Sequence, residues 1–178
     1  MISFAKKLWP LNRSLTGLGV DKTLSIIKKE LPIKILKFKT GTKVFDWKIP
    51  GVWKIEKAWV KNKNDEKIID FEKNNLHVVG YSQNINQTLS LKKLKRKIHY
   101  IKNQPNAIPY VTSYYKKNWG FCLEYKKFKK LKEGNYKAFI DSKFVNGNLK
   151  IGELVIKGSS KKEVLFSTYI CHPSMPNN

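Results

Sequence analysis

The chain has 178 residues, enough for one well-buried core or for a domain carrying a smaller module, and too few for three independent units. At 41% hydrophobic and 12% aromatic it holds too much apolar material to be a disordered basic tail, so it should fold. Its net charge of +23 comes almost wholly from lysine, with Arg13 and Arg96 the only arginines beside 17 Ile and 15 Asn; such charge reads as solvated faces, and nucleic acid is not the expected partner, because phosphate and base recognition favour the guanidinium fork.

The first residues lack the apolar run of about 7 to 15 that a secretory signal needs, and no stretch approaches the roughly 18 of a membrane span. Cys122 and Cys171 form neither a disulfide framework nor a C-x-x-C metal spacing. The expectation is a protein of the reducing cytoplasm, with no membrane partner.

The first predicted element is a helix over 20–31, where Val20, Leu24, Ile27 and Leu31 share one face and Pro32 closes the segment. A strand over 33–39 follows, alternating apolar residues with lysine up to Thr40-Gly41. Short strands are expected over 54–60 and 67–71, then over 76–81, 110–115 and 119–125, as in a small antiparallel β module. Within it, Ser90 caps a helix that the spacing of Leu91, Leu94, Ile98 and Ile101 carries to 101, and a shorter helix runs over 125–132 until Gly134 stops it.

Beyond Gly134 the pattern predicts a strand over 136–141, a hairpin over Asn146-Gly147, a strand over 149–156 and a last strand over 163–170. That last run, Val164-Leu165-Phe166-Ser167-Thr168-Tyr169-Ile170, is almost continuously apolar and reads as a central strand covered on both faces. In open α/β sheets the ligand crevice lies at the carboxyl ends of the strands, which is where Cys171-His172-Pro173-Ser174 falls. The imidazole of His172 could serve zinc there, although a lone histidine at a strand end is more often structural.

Arg13, in a chain that otherwise uses lysine, suits a substrate carboxylate or a structural carboxylate pair. His77, inside an apolar segment, reads as a core residue, and His99, on a lysine-rich face, as solvated. Trp9, Trp47, Trp53, Trp59 and Trp119 could pave a sugar platform but read mostly as core of the β module. Cys171 and His172 do not read as a nucleophile pair, since adjacent strand residues face opposite ways.

Five separated segments carry a further signal: 9–17 (WPLNRSLTG), 44–47 (VFDW), 75–81 (NLHVVGY), 108–115 (IPYVTSYY) and 167–175 (STYICHPSM). In this order they resemble a bacterial family of aminopeptidase-like proteins, related to the di-zinc aminopeptidases and carrying an inserted β-rich domain. The resemblance implies an α/β fold: a mixed sheet of the zinc-aminopeptidase type over 1–43 and 149–178, interrupted by a mainly antiparallel β domain over 44–148. It also implies a zinc-dependent hydrolase of a peptide or amide bond in a small substrate. His172 then stands at the first zinc ligand, and Asn178 at or near the place of the carboxylate that bridges both metals.

Two positions depart from that pattern. Ser174 stands where an aspartate orients the metal site, and the Asn178 amide neutralises no metal charge. The remaining ligands and the general base lie further along in the related peptidases, so the expectation is the front part of a longer protein, inactive by itself and at best a weak zinc binder. The competing expectation is a non-catalytic binding module linked to surface-polysaccharide biosynthesis.

Overall fold

A computed structural model describes residues 2–173 of the chain. They divide into two units: unit 1 comprises residues up to Val52 together with those from Phe144 onward, and unit 2 is the continuous stretch Trp53–Lys143. Both mix helix with antiparallel strands, and no sheet among the described residues closes into a barrel.

Unit 1 is built on helix α2 (Leu18–Glu30), preceded by the short helix α1 (Ile2–Leu8). Asp21 in the first turn of α2 and Lys28 and Lys29 in the last complement the helix dipole, and Leu31 turns extended because Pro32 disfavours a helical residue before it. As the 3.6-residue spacing demands, Val20, Leu24 and Ile27 share one stripe, which packs with Ile33, Ile35 and Ile170. Beside this core strand β1 (Lys34–Lys39) pairs antiparallel with strand β10 (Asn148–Glu153) over six rungs, from Lys34↔Glu153 to Lys39↔Asn148. Gly152 lets β10 lie close to the helix, for a Cβ there would stand 3.0 Å from Leu24 Cδ2 and 3.1 Å from Ile33 Cδ1.

A small hairpin of β2 (Lys43–Val44) and β3 (Trp47–Lys48) projects from unit 1 around Phe45-Asp46. Phe45 takes a left-handed φ of 53° while 94% exposed, a turn position that glycine would hold without strain.

Unit 2 carries a four-stranded sheet in the order β5-β4-β9-β6, formed by β4 (Val52–Lys61), β5 (Lys67–Asp70), β6 (Ile85–Ser90) and β9 (Asn135–Val145). β9 buries Tyr136, Ala138, Ile140 and Ser142, every second residue, as a strand with one covered face must. Trp53 Nε1 and Ser142 Oγ both donate to the carbonyl of Ser82, at 2.9 and 2.7 Å, and the Trp53 ring stacks on Tyr81. Tyr81 is itself 3% exposed and left-handed at φ 64°. Of the five tryptophans only Trp53 is fully core; Trp9 is 50% exposed, and Trp59 lies half-buried against Phe139.

Four expectations are corrected. The helix from Ser90 ends at Lys95 (α3, Leu91–Lys95), because Ile98 is buried by strand pairing instead: β7 (Ile98–His99) runs parallel to β8 (Phe121–Cys122). A helix α4 (Tyr125–Lys129) likewise stops short of 132. Asn146-Gly147 makes no hairpin, since β10 pairs with β1 and not with β9. The expected central strand over 163–170 is absent among the described residues: Val164, Leu165 and Phe166 are 79%, 88% and 92% exposed, for apolar composition favours a covered strand but cannot create the neighbours that would cover it.

His77 lies in a 3-10 turn (Asn75–His77) as the core residue expected, and its Nδ1–H donates to Cys122 O at 2.8 Å. Burial lowers its pKa below the usual 6.5. The unfolded chain therefore takes up the proton first as pH falls, and stability present above pH 6.5 is lost between that value and the depressed folded one. Urea midpoints should fall between pH 7 and 5 in the native chain and stay flatter in His77→Gln; equal slopes would refute this assignment.

Candidate functional site

The chemistry of unit 1 gathers where the loop after α1 meets the residues around His172. Asn12 and Arg13 run along the first turn of α2 so closely that a Cβ on Gly19 would collide with Asn12 O and stand 2.9 Å from Arg13 N. Only a hydrogen at that position admits the loop. Its far side is fixed by buried Ser14, whose Oγ donates to Thr16 O at 2.7 Å, and by buried Thr16.

This framework holds Arg13 half-buried. Its Nε is buried and has no hydrogen-bond partner among the described residues. Desolvation lowers the pKa of the guanidinium, opposed by the neighbouring Cys171, and burial raises that of the Cys171 thiol, opposed by Arg13. The two side chains therefore sense one another, which joins the Arg13 loop to the residues beside His172. An unpaired, partly desolvated guanidinium N–H is a donor still lacking its acceptor, and the fork geometry suits a bidentate carboxylate.

His172 is half-buried, its ring meeting Tyr169 edge to face at 4.5 Å and 88°. Beside it lies an apolar pocket of about 330 Å³, lined by residues 149–152 and 168–171 and by Val20, Leu24, Ile27 and Ile33.

Of the residues singled out in the sequence, Arg13 and His172 thus fall in one region of unit 1. Asn178 and Ser174 lie outside the described residues, and His77 and His99 belong to unit 2. Sequence reasoning missed Gly19 and the approach of Cys171 to Arg13. The closely spaced Gly17 and Gly19 right after the arginine loop were the available signal for the first; nothing in the sequence signals the second.

A zinc centre needs about three protein ligands. No group of three His, Cys, Asp or Glu residues able to hold a metal occurs among the described residues, so those around His172 do not by themselves fit the zinc that the resemblance implies. No helix among them is long and apolar enough to cross a membrane.

Residues 52–143, just over half of the chain, match the family described as "Domain of unknown function (DUF2172)". Over 173 residues, 97% of its length, the chain is 48% identical to a Clostridium acetobutylicum protein named "Putative polysaccharide biosynthesis protein with aminopeptidase-like domain". It is also similar to a solved structure, "Crystal structure of putative peptidase from CLOSTRIDIUM ACETOBUTYLICUM at 2.37 A resolution", with a TM-score of 0.93 and 47% identity over 99% of the chain. The chain spans 40% of the length of the first and 42% of the second.

Proposed function

The chain belongs to the family described as "Domain of unknown function (DUF2172)", and from that membership and its relatives' names we propose that it serves an aminopeptidase-like hydrolase acting on a peptide or amide bond in the cytoplasm. In this reading Arg13 binds a carboxylate of the substrate, and His172 offers one imidazole to a zinc ion, with Asn178 near the same site. One imidazole alone does not make a zinc centre. What these residues do is hold and orient: the Arg13 fork pairs with a carboxylate, and the Gly19 contact fixes the loop that aims it. The orphaned Arg13 Nε carries the reading.

Two arginines in the whole chain make the test direct, since only two arginine Nε–H signals exist, in a spectral region apart from the indole N–H groups. Titrating a dipeptide with a free carboxylate should shift the Arg13 signal to saturation and leave Arg96 in place, while the amidated dipeptide should shift neither. Indifference of the Arg13 signal to the free carboxylate would sink the proposal. Dialysis should at the same time strip zinc from the purified chain, because a single imidazole holds it weakly; stoichiometric retention would contradict the ligand count given for the described residues.

The name of the Clostridium acetobutylicum relative supports one alternative, a non-catalytic binding module in surface-polysaccharide biosynthesis. There the Arg13 signal would answer to an acidic saccharide and not to the dipeptide.

A further inference from the structure

Unit 2 holds a pocket of its own, of about 360 Å³, formed wholly by residues of Trp53–Lys143. One wall is the turn between β4 and β5 with residue 68 of β5, and the other is the segment over 130–136 that carries the chain from α4 into β9. Both walls are fixed by the chain's own hydrogen bonds. In the turn, Asn62 Oδ1 accepts from the backbone N–H groups of Asn64 and Glu66, both at 3.0 Å, and Asn62 Nδ2 donates to Glu66 Oε2 at 2.6 Å. Opposite, the hydroxyl of buried Tyr136 donates to Lys132 O at 2.6 Å, and the Leu91 N–H donates to Gly134 O at 3.1 Å. Asp65 ties the turn to the neighbouring strands, with Lys61 of β4 at 2.6 Å and Lys137 of β9 at 3.8 Å. A ligand entering here would spend little free energy on ordering the site.

The groups left over define the ligand. Lys63 on one wall and Lys130 and Lys132 on the other make no ion pair among the described residues, and three ammonium groups around one small cavity repel each other unless an anion stands between them. Lysines act as point charges, which suits a phosphate; a carboxylate is gripped better by the fork of an arginine. Of the two carboxylates in the lining, Glu66 is taken up by Asn62, whereas Glu133 and the side-chain amides of Asn64 and Asn135 make no side-chain hydrogen bond among the described residues. Acceptors and donors side by side are what sugar hydroxyls need, since each hydroxyl is both. Ile68, Leu131 and Tyr136 add apolar surface on which the C–H face of a sugar ring can pack. The volume lies near the small end of ligand pockets, which run from about 300 to 1,000 Å³, and so fits a ligand of monosaccharide size.

A bare phosphate would leave the amides and the apolar surface unused, and a neutral sugar would leave the lysines unneutralised. We propose that unit 2 binds a sugar phosphate between these two walls, its phosphate held by Lys63, Lys130 and Lys132 and its hydroxyls by Asn64, Glu133 and Asn135. The site goes beyond the hydrolase reading and uses neither Arg13 nor His172.

Glucose 6-phosphate, titrated into the isotope-labelled 178-residue chain, is the probe. It should move the backbone amides of residues 62–66 and 130–136 to saturation, and glucose or inorganic phosphate alone should bind at least about tenfold more weakly. Lys63→Gln and Lys132→Gln each remove one charge, from opposite walls, and each should weaken binding about tenfold. Lys116→Gln removes the same charge from a loop outside the pocket and should leave binding unchanged. All three side chains are exposed, so the urea midpoints of the variants should stay at the native value. Glucose binding as tightly as its phosphate would overturn the proposal, and so would inorganic phosphate doing the same. Shifts that never saturate, or that Lys116→Gln weakens as much as Lys63→Gln, would also overturn it, because that is the response of a diffuse positive surface. Saturation confined to the Arg13 signal would refute the pocket while leaving the carboxylate titration of Arg13 to be judged by itself.

Discussion

Gly19→Ala should destabilise unit 1 by about 3 kcal/mol, against the ordinary trend for helices. An alanine inside a helix is normally better than glycine by about 1 kcal/mol, because it restricts the unfolded chain and shields the backbone. At Gly19 the added methyl would collide with Asn12 O and stand 2.5 Å from Asn12 C, and both are backbone atoms that cannot swing aside like the end of a side chain. Either the loop leaves the helix or the first turn of α2 opens, and each route carries Arg13 with it. The substitution should therefore lower the urea midpoint and move the Arg13 Nε resonance together. A gain in stability, or a loss that leaves that resonance in place, would refute the close approach.

The second large effect belongs to Trp53. It is 6% exposed, stacks on Tyr81 with ring centroids 5.8 Å apart, and shares the Ser82 carbonyl with Ser142. Truncation to alanine removes the indole and leaves a cavity, which should cost about 4 kcal/mol. Trp53→Phe keeps a ring against Tyr81 and loses only the Nε1 bond, and because Ser82 O still accepts from Ser142 Oγ, that loss should be about 1 kcal/mol. Adding Ser142→Ala to Trp53→Phe should cost more than the two single changes summed, since only the double variant leaves the buried carbonyl bare. Amide exchange across Trp53–Lys143 reads the result, and strict additivity would show that the two donors act independently.

Periodicity made part of this molecule legible. The stripe of α2 stands in the residue order because one side of the helix is buried, and burial follows the period of the element; β1 is a strand as its alternation predicts, but its burial does not alternate, for the adjacent Ile35 and Leu36 are both half-buried and Phe38 is exposed. The same logic misled at Ile98 and Ile101, which extend the spacing of Leu91 and Leu94. Period 3.6 shows that a residue is buried, not what buries it, and Phe121, more than twenty residues away in the chain, takes over from the helix. At Val164–Phe166 composition was read as burial although cover comes from other strands. In the candidate site, Arg13 was legible by its rarity. Gly19 and Cys171 matter through distances to the Arg13 loop, and a residue order holds no distances.

The pairing of Lys39 with Asn148 has one further consequence. The chain leaves the β1–β10 sheet at Lys39 and returns to it directly opposite at Asn148, so all that lies between, the β2–β3 hairpin of unit 1 as well as unit 2, begins and ends at paired neighbours. A detour whose two ends lie side by side, with Thr40 and Gly147 hydrogen-bonded just past the last rung, places little geometric demand on the sheet that hosts it. Over evolutionary time the Trp53–Lys143 stretch could lengthen, shrink or be exchanged as a cassette, while β1, β10 and the stripe of α2 stay under their own, separate selection.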